Sequence, residues 1–153
     1  RYPTLSGGEK QRIALARAAA QIWPSEQTRS RYLLLDEPTN NLDLEHQHVA
    51  LTRARQWADE GVGVLVVLHD LNLAAQHADT MLVMEGGRAV AMGKPAAVLT
   101  PDLMRTVFRT VARVEQHPCF DCPLIVTLRA AEQPPKGVAH DYHTDTIARA
   151  EVG

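Results

Sequence analysis

With only two cysteines in 153 residues, the sequence cannot build a disulfide framework, so a packed core must stabilise it and a reducing compartment suits it. No apolar run approaches the ~20 residues that a membrane-spanning helix needs; the longest, over 62–68, is far shorter. No signal-peptide pattern is present. Charge of one sign is not in excess either. The formal net charge is −2 and the basic residues are scattered, which excludes the footprint of a nucleic-acid binder and argues against a nucleic-acid partner. Aromatics make up 5%, so aliphatic side chains must fill the core of what is, by length, one ordinary domain.

Against these absences stands the stretch Leu5-Ser6-Gly7-Gly8-Glu9-Lys10-Gln11-Arg12. Ser6 is a good helix N-cap and Glu9 stands three positions on, the spacing of a capping box. Two glycines let a backbone approach a ligand closely, and the N–H groups and positive dipole end of the following helix favour an anion. A terminal phosphate is the natural guest. A helix is expected over 9–23 with Ile13, Ala16, Ala20 and Trp23 on one face and Pro24 at its end.

Residues 32–35 are a short continuous apolar run, read as a strand buried on both faces of a parallel sheet. That puts Asp36 and Glu37 at its carboxyl end, where open α/β sheets place ligands. Adjacent carboxylates there are costly unless a cation, a hydrogen-bond network or a water uses them. Asn40 to Asp43 make the next turn. A second helix follows, with His46, Val49, Ala50, Ala54 and Trp57 at helical spacing and Gly61 as its stop. His46 and His48 are two apart and share no helix face, so they read as solvated surface histidines. Residues 62–68 form a second buried strand with His69 at its end.

Four motifs stand in order: LSGGEKQRIALARA, then YLLLDEPT from Tyr32, NNLD from Asn40 and VLHD from Val67. In this order and spacing the chain resembles the ATP-binding cassette ATPases. The resemblance implies a three-layer, P-loop-type α/β nucleotide-binding domain, here its C-terminal part, with a mainly parallel sheet flanked by helices. It implies ATP and Mg²⁺ as ligands, with Asp36 holding Mg²⁺ through its water shell, Glu37 as general base and His69 at the γ-phosphate. Leu5, Ser6, Gly7, Gly8 and Glu9 would face the ATP of an opposite subunit in a homodimer, and Asp43 would help shape that opposite site. The Gly-x-x-x-x-Gly-Lys-Ser/Thr loop that such an ATPase needs is nowhere in the sequence. The resemblance therefore implies a chain that begins within the ATPase and is inactive alone.

Downstream, a helix over 71–77, a hairpin of strands 80–84 and 89–92, and two proline-opened helices over 95–99 and 101–108 are expected. Two edge strands, 111–115 and 124–128, would flank the loop that holds Cys119 and Cys122. A metal site there would need His117, His140 or His143 to complete it; the alternative is a pair of reduced cysteines in a turn. The cassette domain is taken to span 1–128, and the proline- and alanine-rich 129–153 to form a loose tail.

The run from Leu68 to Ala75 followed by Ala78-Asp79 is similar to importer ATPases for iron chelates, haem and cobalamin. The stretches from Ala20 to Pro24 and from Leu44 to His48 lean towards haem. This branch implies transmembrane permease partners, a periplasmic binding protein acting indirectly, and a place on the cytoplasmic face of the bacterial inner membrane. Siderophore or cobalamin import is the alternative cargo. A reading of another class is a non-catalytic module that offers its signature face to a full-length partner.

Overall fold

Helix α1 (Gly7–Gln21) starts directly after Ser6, the residue that the capping pattern singles out. The computed structural model describes residues 6–22 and 30–131, which belong to two units, Arg1–Asp70 and Leu71–Gly153. In the first unit α1 is followed by β1 (Arg31–Asp36), α2 (Leu44–Asp59) and β2 (Val62–Val67). β1 and β2 are parallel, with Arg31 opposite Val62 and Asp36 opposite Val67, the pairing that a helical crossover such as α2 permits.

The strands alternate in burial, contrary to the expectation that they are buried on both faces. Leu33 and Leu35 of β1 and Val62 of β2 pack with Ala54 and Trp57 of α2 and Ile22 beyond α1. On the opposite face Tyr32, Leu34, Leu65 and Val67 are exposed, because no described element covers that side. Asp36 shares it, two residues beyond Leu34.

The face of α1 differs from the spacing argument, and that of α2 agrees with it at Ala50, Ala54 and Trp57 but not at Val49. α1 turns Leu15, Ala18 and Ala19 to the core, while Ile13, Ala16 and Ala20 are exposed; Trp23 lies outside the described residues. α2 buries Ala50, Leu51, Ala54 and Trp57, and Val49, about 100° of helix away from Ala50, is exposed. Neither helix has a basic residue in its last turn. Arg31 supplies the missing cation to both. Its Nη1 donates to the Ile22 carbonyl at 3.3 Å and its Nη2 to the Glu60 carbonyl at 3.1 Å, satisfying orphan C-terminal acceptors. Gly61, at φ +84, then provides the left-handed step that stops α2.

The second unit runs α3 (Leu71–His77), β3 (Met81–Glu85), β4 (Arg88–Gly93), α4 (Pro95–Val98), α5 (Pro101–Thr106), β5 (Thr110–Gln116) and β6 (Pro123–Ala130). β3 pairs antiparallel with β4, and β5 with β6. Among the described ladders, then, β1–β2 is the parallel one. Ala75, Met81, Val83, Val98, Leu99, Met104, Ala112, Cys122 and Ile125 form the core of the second unit. The domain boundary expected after residue 128 falls inside β6, and 132–153 lie outside the described residues.

Asn72 binds α3 to β6 through both ends of its amide. Its Oδ1 accepts from the Ile125 N–H at 2.7 Å and its Nδ2 donates to the Ile125 carbonyl at 3.1 Å, as a neighbouring strand would. Asn72→Ala should strand both backbone groups and cost about 1–3 kcal/mol, seen as a lower urea midpoint at unchanged slope. An unaltered midpoint would show that water replaces the amide without loss.

Cys122 is part of this core, and burial, reinforced by Asp121, raises its thiol above the ordinary range. Cys119 is exposed. His117 spends its Nδ1 on the backbone N–H groups of Cys119 and Phe120, at 3.0 and 3.2 Å. This arrangement is a hairpin turn. Among the described residues no group of three or more His, Cys, Asp or Glu is placed to hold a metal ion; His140 and His143 lie outside them.

Candidate active site

The carboxyl ends of β1 and β2 bring Glu37 and His69 together. The Glu37 N–H still donates to the Val67 carbonyl at 3.1 Å, prolonging the parallel pairing by one bond. Its φ of 46° then turns the chain sharply, a conformation that a non-glycine residue adopts only where the surroundings hold it. The His69 Nε2 meets Oε1 of Glu37, and the Asn40 Nδ2 donates to Oε2. Both carboxylate oxygens are thus engaged and the group is held in one orientation. Since a carboxylate only accepts, the neutral His69 ring carries its proton on Nε2 and its lone pair on Nδ1.

Asn40 drew attention in the sequence only as part of a turn. Its amide is a clamp on Glu37, and the Asn40 N–H donates to the Glu37 carbonyl at 3.1 Å, closing the turn that brings the two side chains together. The one signal available was the spacing of three, common to many turns.

A second cluster surrounds the start of α1. Ser6 Oγ accepts from the Glu9 N–H at 3.2 Å, and Glu9 Oε2 accepts from the Ser6 N–H at 2.8 Å and from its hydroxyl at 2.8 Å. These backbone and hydroxyl bonds hold the Glu9 carboxyl below its usual range, with Arg12 adding to the effect. Gly8 lies against the 40–43 loop: a Cβ there would stand 3.2 Å from the Asn41 carbonyl oxygen. Its small size serves packing within the chain as well as any approach by a ligand. Leu5 lies outside the described residues.

Asp43 caps α2, accepting from the His46 N–H at 2.9 Å. The same oxygen meets the His46 Nδ1 at 2.6 Å, and Arg12 Nη1 meets the His46 Nε2 at 2.8 Å. The backbone bond from His46, then its ring bond, lowers the Asp43 carboxyl from its ordinary value. His46 is therefore not the solvated surface histidine expected from its spacing with His48. It is half-buried and joins two elements, whereas His48 is exposed. Position 46 is the third residue of α2, where a side chain reaches back to the cap, and that signal was legible. Its second partner, 34 residues away, was not.

Asp36 presents an exposed carboxylate at the end of β1. Mg²⁺ is typically held by one or two carboxylates together with substrate phosphates and water, and the exposed Asp36 carboxylate, a hard-oxygen donor, fits that habit.

No family model matches the chain. The hemin import ATP-binding protein HmuV of Gloeobacter violaceus is 51% identical over 141 residues, which cover 91% of this chain and 51% of that protein. Its namesake in Deinococcus radiodurans is 54% identical over 124 residues, 81% of this chain and 47% of the relative. The chain thus spans about half the length of the curated relatives it matches. Among solved structures, an inward-facing metal-chelate type ABC transporter matches with a TM-score of 0.66 at 26% identity, over 83% of this chain and 49% of that one. The ATP-binding subunit of an ABC transporter matches with a TM-score of 0.52 at 26% identity, over 67% and 38%. Sequence, motif order and fold agree, and the chain belongs to the ATP-binding cassette ATPases.

Proposed function

We propose that this protein acts as an ATP-hydrolysing subunit of a bacterial importer whose cargo is haem. The observation that carries the hydrolytic part is the Glu37 carboxylate, fixed by His69 and Asn40 at the carboxyl end of the parallel pair. A base that must take a proton from water needs a carboxylate in a defined orientation within hydrogen-bond reach of that water. Glu37 has this role. His69 steadies it through Nε2–H until the γ-phosphate of ATP competes for the same ring proton, and Asn40 keeps the second oxygen in place meanwhile.

Asp36 would hold Mg²⁺ through water; the ion, when bound, neutralises charge on the phosphates of the substrate. Ser6, Gly7, Gly8 and Glu9, with Leu5 before them, would present the start of α1 to the γ-phosphate of an ATP held by a second subunit. The backbone N–H groups and dipole of a helix N-terminus suit that anion. Asp43 would shape the same composite site from its loop. Permease subunits in the membrane would carry the cargo, fed by a periplasmic binding protein, and the ATPase would sit on their cytoplasmic face. Among the described residues no helix is long and apolar enough to cross a membrane.

The cargo rests on kinship with proteins named for hemin import. In a bacterium with no second haem importer, deleting the gene should abolish growth on haem as the sole iron source and leave growth on ferric siderophores intact. Unimpaired growth on haem would overturn the cargo, and lost growth on a siderophore instead would favour the alternative importer.

A further inference from the structure

The contact between Arg12, His46 and Asp43 crosses between the two segments that the preceding section assigns to the composite ATP site. A guanidinium only donates hydrogen bonds, so the Nε2 that faces Arg12 must offer its lone pair. The single proton of the neutral ring is then on Nδ1, donated to Asp43 Oδ1 at 2.6 Å. This tautomer satisfies both neighbours at once. The charged groups facing His46 are Arg12 from α1 and Asp43 from the loop, with Glu9 behind Arg12 and in electrostatic contact with it.

We propose that His46 is a positioning residue, which in its neutral Nδ1–H form ties Arg12 of α1 to Asp43 and so keeps the helix start and the 40–43 loop in register. A second proton on the ring would set an N–H and a positive charge against the guanidinium, and the Arg12 side of the bridge would part while the Asp43 side held. The close approach of Gly8 to Asn41 in the same loop makes such a register consequential, since α1 and the loop already touch there. A doubly protonated His46 therefore uncouples the two segments. This inference rests on the reading of both segments as parts of an ATP site, but the bridge itself does not.

Two measurements on the full chain test it. Long-range ¹⁵N–¹H NMR of His46 at neutral pH should show a protonated Nδ1 and a lone pair on Nε2; a ring protonated on Nε2 would overturn the bridge. In the assembled ATPase, His46→Leu should lower kcat about fivefold or more with little change in KM for ATP. A glutamine amide can donate to Asp43 and accept from Arg12 but does not titrate. His46→Gln should therefore restore most of the lost turnover and remove the acid-side fall of kcat that His46 causes. Overturning results would be full turnover in His46→Leu with an unaltered pH profile, or no rescue by His46→Gln. If the unaltered protein hydrolysed no ATP, the reading of the preceding section would fail, and the NMR result would decide the bridge alone.

Discussion

Glu37→Gln is expected to lower ATP turnover by at least about 100-fold, the lower end of what a positioned general base contributes, while ATP binding is retained. The substitution keeps shape and removes the ability to take a proton. Its local cost follows from the geometry. Glu37 now accepts from His69 at one oxygen and from Asn40 at the other; a glutamine has one acceptor and one donor at those places. The new amide NH₂ fits beside His69 only if that ring moves its proton to Nδ1 and turns a lone pair to it. The turnover defect should therefore come with either a changed His69 tautomer or a turned Asn40 amide, and with little loss of stability. Single-turnover hydrolysis and binding of a fluorescent ATP analogue, both on the assembled ATPase, separate the steps. Hydrolysis within threefold of the unaltered protein would remove Glu37 from the role of base.

Trp57→Ala carries the largest expected effect on stability. Trp57 is buried between α2 and the strands, in one cluster with Leu33, Leu35, Ala54 and Val62, and the Arg53 guanidinium lies 5.5 Å from its ring centre. Deleting a buried indole removes the transfer energy of the ring and leaves a cavity, about 3–5 kcal/mol together. The loss of the cation–π contact adds roughly 0.5–1 kcal/mol. Set against a typical total of about 5–15 kcal/mol, this should lower the urea midpoint of the first unit severely. The first unit exposes Tyr32, Leu34 and Leu65 on its other face, so its covered face is where most of its stability must come from. Trp57→Phe, which keeps most of the apolar volume, should lose less than half as much. Equal losses in the two variants would show that the indole itself is not what fills the space.

Much of the site was legible because its signals are local. Ser6 with Glu9 made one cap, and the apolar run before Asp36 made the strand that carries it to the sheet's end. The expectations that failed concerned partners. A continuous apolar run is read as a strand covered on both sides, yet Leu33 is buried and Leu34 exposed, since coverage depends on what packs there. Helical spacing proposed Val49, Ala50, Ala54 and Trp57 together; Ala50, Ala54 and Trp57 are buried, but Leu51 takes the place expected of Val49. His46, dismissed from its two-residue distance to His48, found its second partner on another helix.

By itself the sequence determined where α1 begins, which carboxylates end β1, and the family, because each depends on residue types at separations of a few positions. The tertiary structure alone decided the orientation of Glu37, the partners of His69 and His46, and which faces are core. Those depend on groups 32 and 34 residues apart in the chain, and only the crossover that sets β1 beside β2 and α1 beside the start of α2 brings them within hydrogen-bond reach.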